Sequence, residues 1–178
     1  MGAKEQGAHV TEGRWMATVR TLTFVLHGGH VLLMKRAPTK RIFPNRYNGL
    51  GGHIERDEDP FTSALREVKE ESGLDVHDLR LRGVYNIDSG ESTGIVLFIF
   101  TAQASSSVLD HECDEGTLHW VPVDQVQALD LVEDLPLILP RVLAMGPTEP
   151  PFFAHVSYDD TDRLVLRFAG DSDAQASG

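Results

Sequence analysis

Cysteine is nearly absent: Cys113 is the only one in 178 residues, so no intrachain disulfide can form and the fold must hold without a covalent staple. A reducing, cytoplasmic location is the expectation that follows. Basic residues are also scarce, 16 against 27 acidic, leaving a formal charge of −11. That balance disfavours duplex nucleic acid or an anionic membrane as a partner, because both present phosphate to the protein. An anionic small molecule remains admissible, since bound cations invert a local field. No apolar run reaches membrane-spanning length, and the opening MGAKEQGAHVTEGRW lacks the apolar core of a secretory signal. Internal repeats and dividing linkers are missing too. One domain over residues 15–169 is expected, between disordered polar tails at 1–14 and 170–178.

What is present is ordinary in bulk, 41% apolar and 24% charged, and specific in order. TLTFVLHGGHVLLMKR predicts two strands, Thr21 to Leu26 and Val31 to Lys35, turned at Gly28-Gly29. A loop with Pro38, Pro44 and several basic residues delivers the chain to Asn48-Gly49-Leu50-Gly51-Gly52. A helix then has a marked start and stop: Asp59 to cap it, Pro60 at its first position and Gly73 to end it. Phe61, Ala64, Leu65 and Val68 share an apolar face at 100° per residue, and Glu67, Glu70 and Glu71 cluster beside it. Strands are expected at Leu81 to Ile87, Gly94 to Ala102 and Leu118 to Val121. A second helix is expected within Leu135 to Leu143, and a last hairpin over Phe152 to Tyr158 and Leu164 to Phe168.

Carboxylates at i, i+3 and i+4 repel one another unless a cation gathers them. Mg2+ takes a few carboxylates together with substrate phosphate oxygens, so the cluster points to a phosphate-bearing substrate. Arg66 can pin one glutamate through a two-pronged pair. A charged helix face is often only a solvated one, and Arg66 and Lys69 could make ordinary surface pairs. The glycine-rich entry beside the carboxylates favours a site. His111, Cys113 and His119 match no zinc spacing and are left as ordinary side chains.

Gly52 to Leu74 resembles the Nudix box, G-x5-E-x7-R-E-U-x-E-E-x-G-U with U apolar, at every fixed position: Gly52, Glu58, Arg66, Glu67, Val68, Glu70, Glu71, Gly73 and Leu74. The resemblance implies an α/β (mixed α+β) Nudix fold, a mixed β-sheet sandwiched between helices, with a C-terminal β-hairpin. It implies Mg2+- or Mn2+-dependent hydrolysis of a nucleoside diphosphate linked to another group. Glu67, Glu70, Glu71 and the Gly51 carbonyl would hold the metal, with Arg66 orienting the cluster and Glu58 at its edge. A further acid from a later loop would be Glu115, with Glu112 as understudy.

Beyond the box, VLLMKR, NRYNGLGGHIE, HWVPVDQV and PFFAHVSY are similar to MutT-type oxidised-purine nucleoside triphosphatases. By that likeness Asn48 and Asp134 would read the base. Lys35, Arg36, Lys40, Arg41 and Arg46 could grip a polyphosphate tail or be solvated loop charges. Val132 stands where that branch has an aromatic platform, and Leu135 replaces a second acid. Tyr47 and Phe43 could stack on a base or simply close over the core. The expected reaction converts a modified purine triphosphate, 8-oxo-dGTP-like, to monophosphate and pyrophosphate. The alternatives are another diphosphate-linked substrate such as a nucleotide sugar, or a nucleotide-sensing module without catalysis. The partner expected is a small nucleotide, and oligomeric state is open between monomer and homodimer.

Overall fold

Gly28 and Gly29 take φ of +54° and +80°, turning strand β1 (Met16–His27) into β2 (His30–Arg36) as the glycine pair predicts. The computed structural model describes residues 5, 7, 12–109, 111 and 113–170, so most of the two expected tails, and Glu112, lie outside the described residues. The remaining strands are β3 (Tyr47–Asn48), β4 (Val76–Ile87), β5 (Thr93–Ala104), β6 (Gly116–Pro122), β7 (Phe152–Tyr158) and β8 (Leu164–Phe168). They form one mixed sheet in the order β3-β2-β1-β5-β4-β7-β8, with β6 along β2. β1 runs parallel to β5 and β4 parallel to β7, while the other pairs are antiparallel. The strands at β1, β4 and β5 are longer than their apolar runs suggest. Their polar ends are held in the sheet by ladder hydrogen bonds to neighbours, a term that side-chain patterning does not carry.

Alternation along the strands loads both faces of the sheet. Leu22, Phe24, Val31 and Leu33 point to one side, where they meet Leu135, Ile138, Leu139 and Val142 of helix α2 (Leu135–Ala144). Val25 and Leu32 point to the other, where they meet Leu50 and Val68, the latter from helix α1 (Pro60–Ser72). The sheet is therefore sandwiched between helices, and the expected Nudix architecture is present. Trp120 lies in β6 and packs against this second cluster, with Nε1 donating to the Ser107 carbonyl.

Helix α1 is delimited by the residues that mark it in the sequence. Asp59 Oδ1 accepts from the Phe61 and Thr62 amides at 2.8 and 3.0 Å, and Gly73 at φ +70° donates to the Lys69 carbonyl. The close approach to the sheet is made by small side chains, Ser63 and Ala64, together with Val68. Phe61, expected on that face, remains exposed in the first turn. Helix α2 keeps Pro140 inside it; the Pro136 carbonyl, which a proline four residues on cannot serve, accepts from Gln127 Nε2 at 3.4 Å.

Candidate active site

Arg66 is the hub of the carboxylate face. Its Nε and Nη2 grip Glu58 at 3.0 and 2.6 Å, and Nη1 donates to both Glu67 and Glu70 at 2.9 Å. The two-pronged bond from Arg66 and an amide bond from Glu55 hold the Glu58 carboxyl down to about 2. Two glycines let this web close on the sheet. A Cβ on Gly52 would stand 2.5 Å from Glu67 Oε1, and Gly51, at φ +145°, donates its amide to Glu71 Oε2 at 2.9 Å.

Glu71 is the exception in this web. It is buried, and its hydrogen bond comes from the neutral Gly51 amide. Burial above all, then the Glu67 and Glu115 charges, push its carboxyl up to about 8. Glu67 is also raised by burial, with Arg66 opposing. Glu115 comes from the turn entering β6, where its carbonyl accepts from the Ala37 amide and its carboxylate pairs with Lys40 Nζ at 2.5 Å. The Lys40 loop thus reaches across to the last of the expected acids.

One cavity of about 770 Å³ joins this cluster to the expected base-reading residues. Glu67, Glu70, Glu71, Glu115 and Gly51 line it at one side; Asn48, Val132 and Asp134 line it elsewhere. Asn48 and Asp134 meet because β3 pairs with the segment before α2: the Tyr47 amide donates to the Asp130 carbonyl, and the Val132 amide to the Tyr47 carbonyl. The Asp134 carboxyl is raised by burial, against a hydrogen bond from the Tyr85 hydroxyl. Arg36 lines the cavity, its Nε bonded to the Ile42 carbonyl at 2.9 Å. Lys35 does not line it; alternation in β2 turns that side chain over the Tyr47 ring, 5.7 Å from its centroid.

A family model of the NUDIX domain matches residues 16–142. The chain belongs to the Nudix hydrolase family. This Nudix hydrolase is 31% identical over 154 residues to the mouse protein named oxidized purine nucleoside triphosphate hydrolase, spanning 84% of this chain and 94% of that one. Its fold superimposes on the MutT protein of Bacillus halodurans with a TM-score of 0.72 at 22% identity, over 87% of this chain and 99% of that one. The Nudix domain of Shewanella oneidensis NrtR, solved with ADP ribose, follows with a TM-score of 0.62 at 20% identity, over 80% and 97%. The Nudix hydrolase is therefore an enzyme of phosphoanhydride hydrolysis.

Among the described residues, no three His, Cys, Asp or Glu side chains are arranged to hold a metal ion as they stand. The cause is visible: Arg66 draws Glu67 and Glu70 onto its guanidinium, and Lys40 takes Glu115. The donor set still fits a hard cation, being all oxygen, with a carboxylate at Glu71 whose pKa is raised by burial and by the neighbouring Glu67 and Glu115 charges.

Reading the sequence alone passes over two cavity residues. Arg20 lines the cavity with a buried Nε that has no hydrogen-bond partner, and its guanidinium is lowered by burial and by Arg36. An arginine within the apolar run VRTLTFVL was the available signal. Tyr158 also lines the cavity, where the terminal hairpin brings it beside Glu133. The likeness over PFFAHVSY ends on this tyrosine, but local sequence gives it no role. Of the two loop aromatics, Phe43 lines the cavity, whereas Tyr47 packs edge-on against His119.

Proposed function

We propose that this Nudix hydrolase uses Mg2+, or Mn2+ in its place, to convert a nucleoside triphosphate to monophosphate and pyrophosphate, the base being a modified purine of the 8-oxo-guanine kind. One observation carries the reading: a single cavity runs from the carboxylate cluster to Asn48 and Asp134, matching a substrate with phosphates at one end and a hydrogen-bonding base at the other. The mouse relative's name supports the substrate class.

Glu67, Glu70, Glu71, Glu115 and the Gly51 carbonyl would hold the metal, which when bound neutralises phosphate charge and makes water a stronger nucleophile. Arg66 keeps Glu67 and Glu70 on one side of the helix, so few rotamers must be ordered when substrate arrives. Arg20 and Arg36 face the cavity with charge to spare for the phosphate tail. Water attacks the β phosphorus, the bond from that phosphorus to the α–β bridging oxygen breaks, and the water proton passes to Glu71 or Glu115. Asn48 and Asp134 orient the base.

The test is release of pyrophosphate against phosphate over a panel of oxidised and unoxidised purine triphosphates and a nucleotide sugar, with Mg2+. Pyrophosphate from the oxidised purine triphosphates, and a loss of about 10²–10⁴-fold in kcat for Glu71→Gln with the fold intact, is the expected result. Wild-type rates in Glu70→Gln and Glu71→Gln, or no turnover of any nucleotide, would sink the proposal. Full turnover by Glu115→Gln would leave Glu71 as the base.

A further inference from the structure

We infer that Tyr85 is a positioning residue: it fixes Asp134 as a one-oxygen acceptor in the base pocket, so that with Asn48 the pocket selects purines presenting a donor beside an acceptor. The inference rests on the cavity's being a nucleoside triphosphate site. Tyr85 sits on β4 and is 1% exposed, inside an apolar core of aliphatic side chains with Phe24 and Phe152. A buried phenol needs a hydrogen-bond partner, and its hydroxyl donates to Asp134 Oδ2.

Asp134 occupies the N-cap position of α2, where an aspartate ordinarily accepts from the helix amides. It makes no such bond. The carboxylate is instead turned to Tyr85, one oxygen is committed there, and one acceptor atom is left for the cavity that Asp134 lines. Asn48 is constrained in the complementary sense. Its Oδ1 accepts from the Gly49 amide at 2.9 Å, which orients the side chain and leaves the NH2 as its uncommitted group, a donor. Leu135, wholly buried, supplies no second acid.

Glu133, the neighbouring acid in the cavity lining, is engaged by Arg46 Nη1 and the Tyr158 hydroxyl, both at 3.5 Å, so the pocket offers the Asn48 amide donor and, as its uncommitted acceptor, one Asp134 oxygen. A purine edge with a carbonyl next to a ring N–H or amino group answers both, as in guanine and its oxidised form. Without the Tyr85 hydroxyl, Asp134 would be free to rotate or to cap α2, and the acceptor would lose its fixed place.

The experiment is steady-state kinetics of the full chain with Mg2+ on dGTP, 8-oxo-dGTP, dITP, which lacks the exocyclic amino group, and N1-methyl-dGTP, which lacks the ring N–H. Wild type should lose about tenfold in kcat/KM on at least one of the two donor-deficient analogues, the effect of one unmade hydrogen bond to a charged acceptor. Tyr85→Phe, nearly isosteric, should raise KM for dGTP about tenfold with kcat lowered less than threefold, and shrink that discrimination to within about threefold. Asp134→Asn, which leaves the Tyr85 packing in place, should erase the same discrimination. A Tyr85→Phe enzyme that keeps the wild-type ratio overturns the inference, whatever its kcat or melting temperature, because a merely structural tyrosine would not move selectivity. Equal use of all four triphosphates by wild type overturns it as well. Silence of wild type on every triphosphate is a different failure: it removes the proposed function, and this inference with it.

Discussion

Arg66 and Glu71, five residues apart on one helix, have opposite electrostatic fates. Arg66 satisfies three carboxylates and its own pKa is raised by them, whereas Glu71 is buried with an amide for company. Glu71 therefore carries a testable pH dependence in the metal-free protein. Its carboxyl is near 4.5 when unfolded and about 8 when folded, so the folded state holds the extra proton between those values. Stability is fully supported below the unfolded value and is lost as pH rises through about 8. Melting temperature in chelator should fall from pH 5 to pH 9, and Glu71→Gln should flatten that fall. An unchanged slope in Glu71→Gln would show that the charge is relieved some other way. Glutamates at i, i+3 and i+4 were legible as a cluster at this scale, but the inequality among them was not. It comes from Gly51 and β1 closing over one of the three.

Helix α1 was readable from end to end because its signals are local: a cap, a first-turn proline and a terminal glycine act within four residues. Asp59 makes three such bonds, to two amides and the Thr62 hydroxyl. Replacing it by alanine should lower the melting temperature by about 2–4 °C, with kcat little changed because the glutamates lie nearer the other end of the helix. A calorimetric melt beside an activity assay checks both halves. The loop from Ala37 to Arg46 was legible only as a loop. In the structure it is held on itself, the Asn45 amide donating to the Arg36 carbonyl, with Phe43 and Asn45 at φ of +50° and +64°. Strain of that kind at a cavity wall is kept by surrounding contacts, here the Lys40–Glu115 pair and the Arg46 guanidinium over Phe43. Lys40 owes its placement to Glu115, and Phe43 to the core cluster it packs against, partners that no short window of sequence contains.

For the whole molecule the charge of −11 and the carboxylate-lined cavity make separate contributions to how ions act on it. General screening should raise stability modestly with any salt, since self-repulsion falls with ionic strength. Site binding adds a term that depends on the cation's identity. Millimolar MgCl2 should raise the melting temperature more than NaCl at matched ionic strength, and Glu67→Gln together with Glu71→Gln should remove the difference. Equal shifts from the two salts in the unmodified protein would mean that the carboxylates are screened and do not bind.

The carboxylate cluster is legible along the chain. Gly52 to Leu74 is contiguous, and its geometry follows from one helix and one turn, so spacing alone brings Arg66, Glu67, Glu70 and Glu71 together. Only folding brings together the residues proposed for recognition. Asn48 and Asp134 lie 86 positions apart and share a cavity only because β3 pairs with the segment before α2; Tyr85 and Tyr158 join them from two further strands. Lys35 and Arg36 show the same division at the smallest scale: both are basic and adjacent, but the pleat of β2 sends one to the Tyr47 ring and the other to the cavity. Chemistry concentrated on one helix can be read along the chain, whereas a pocket assembled from separate strands depends on hydrogen-bonded register, which only the folded sheet supplies.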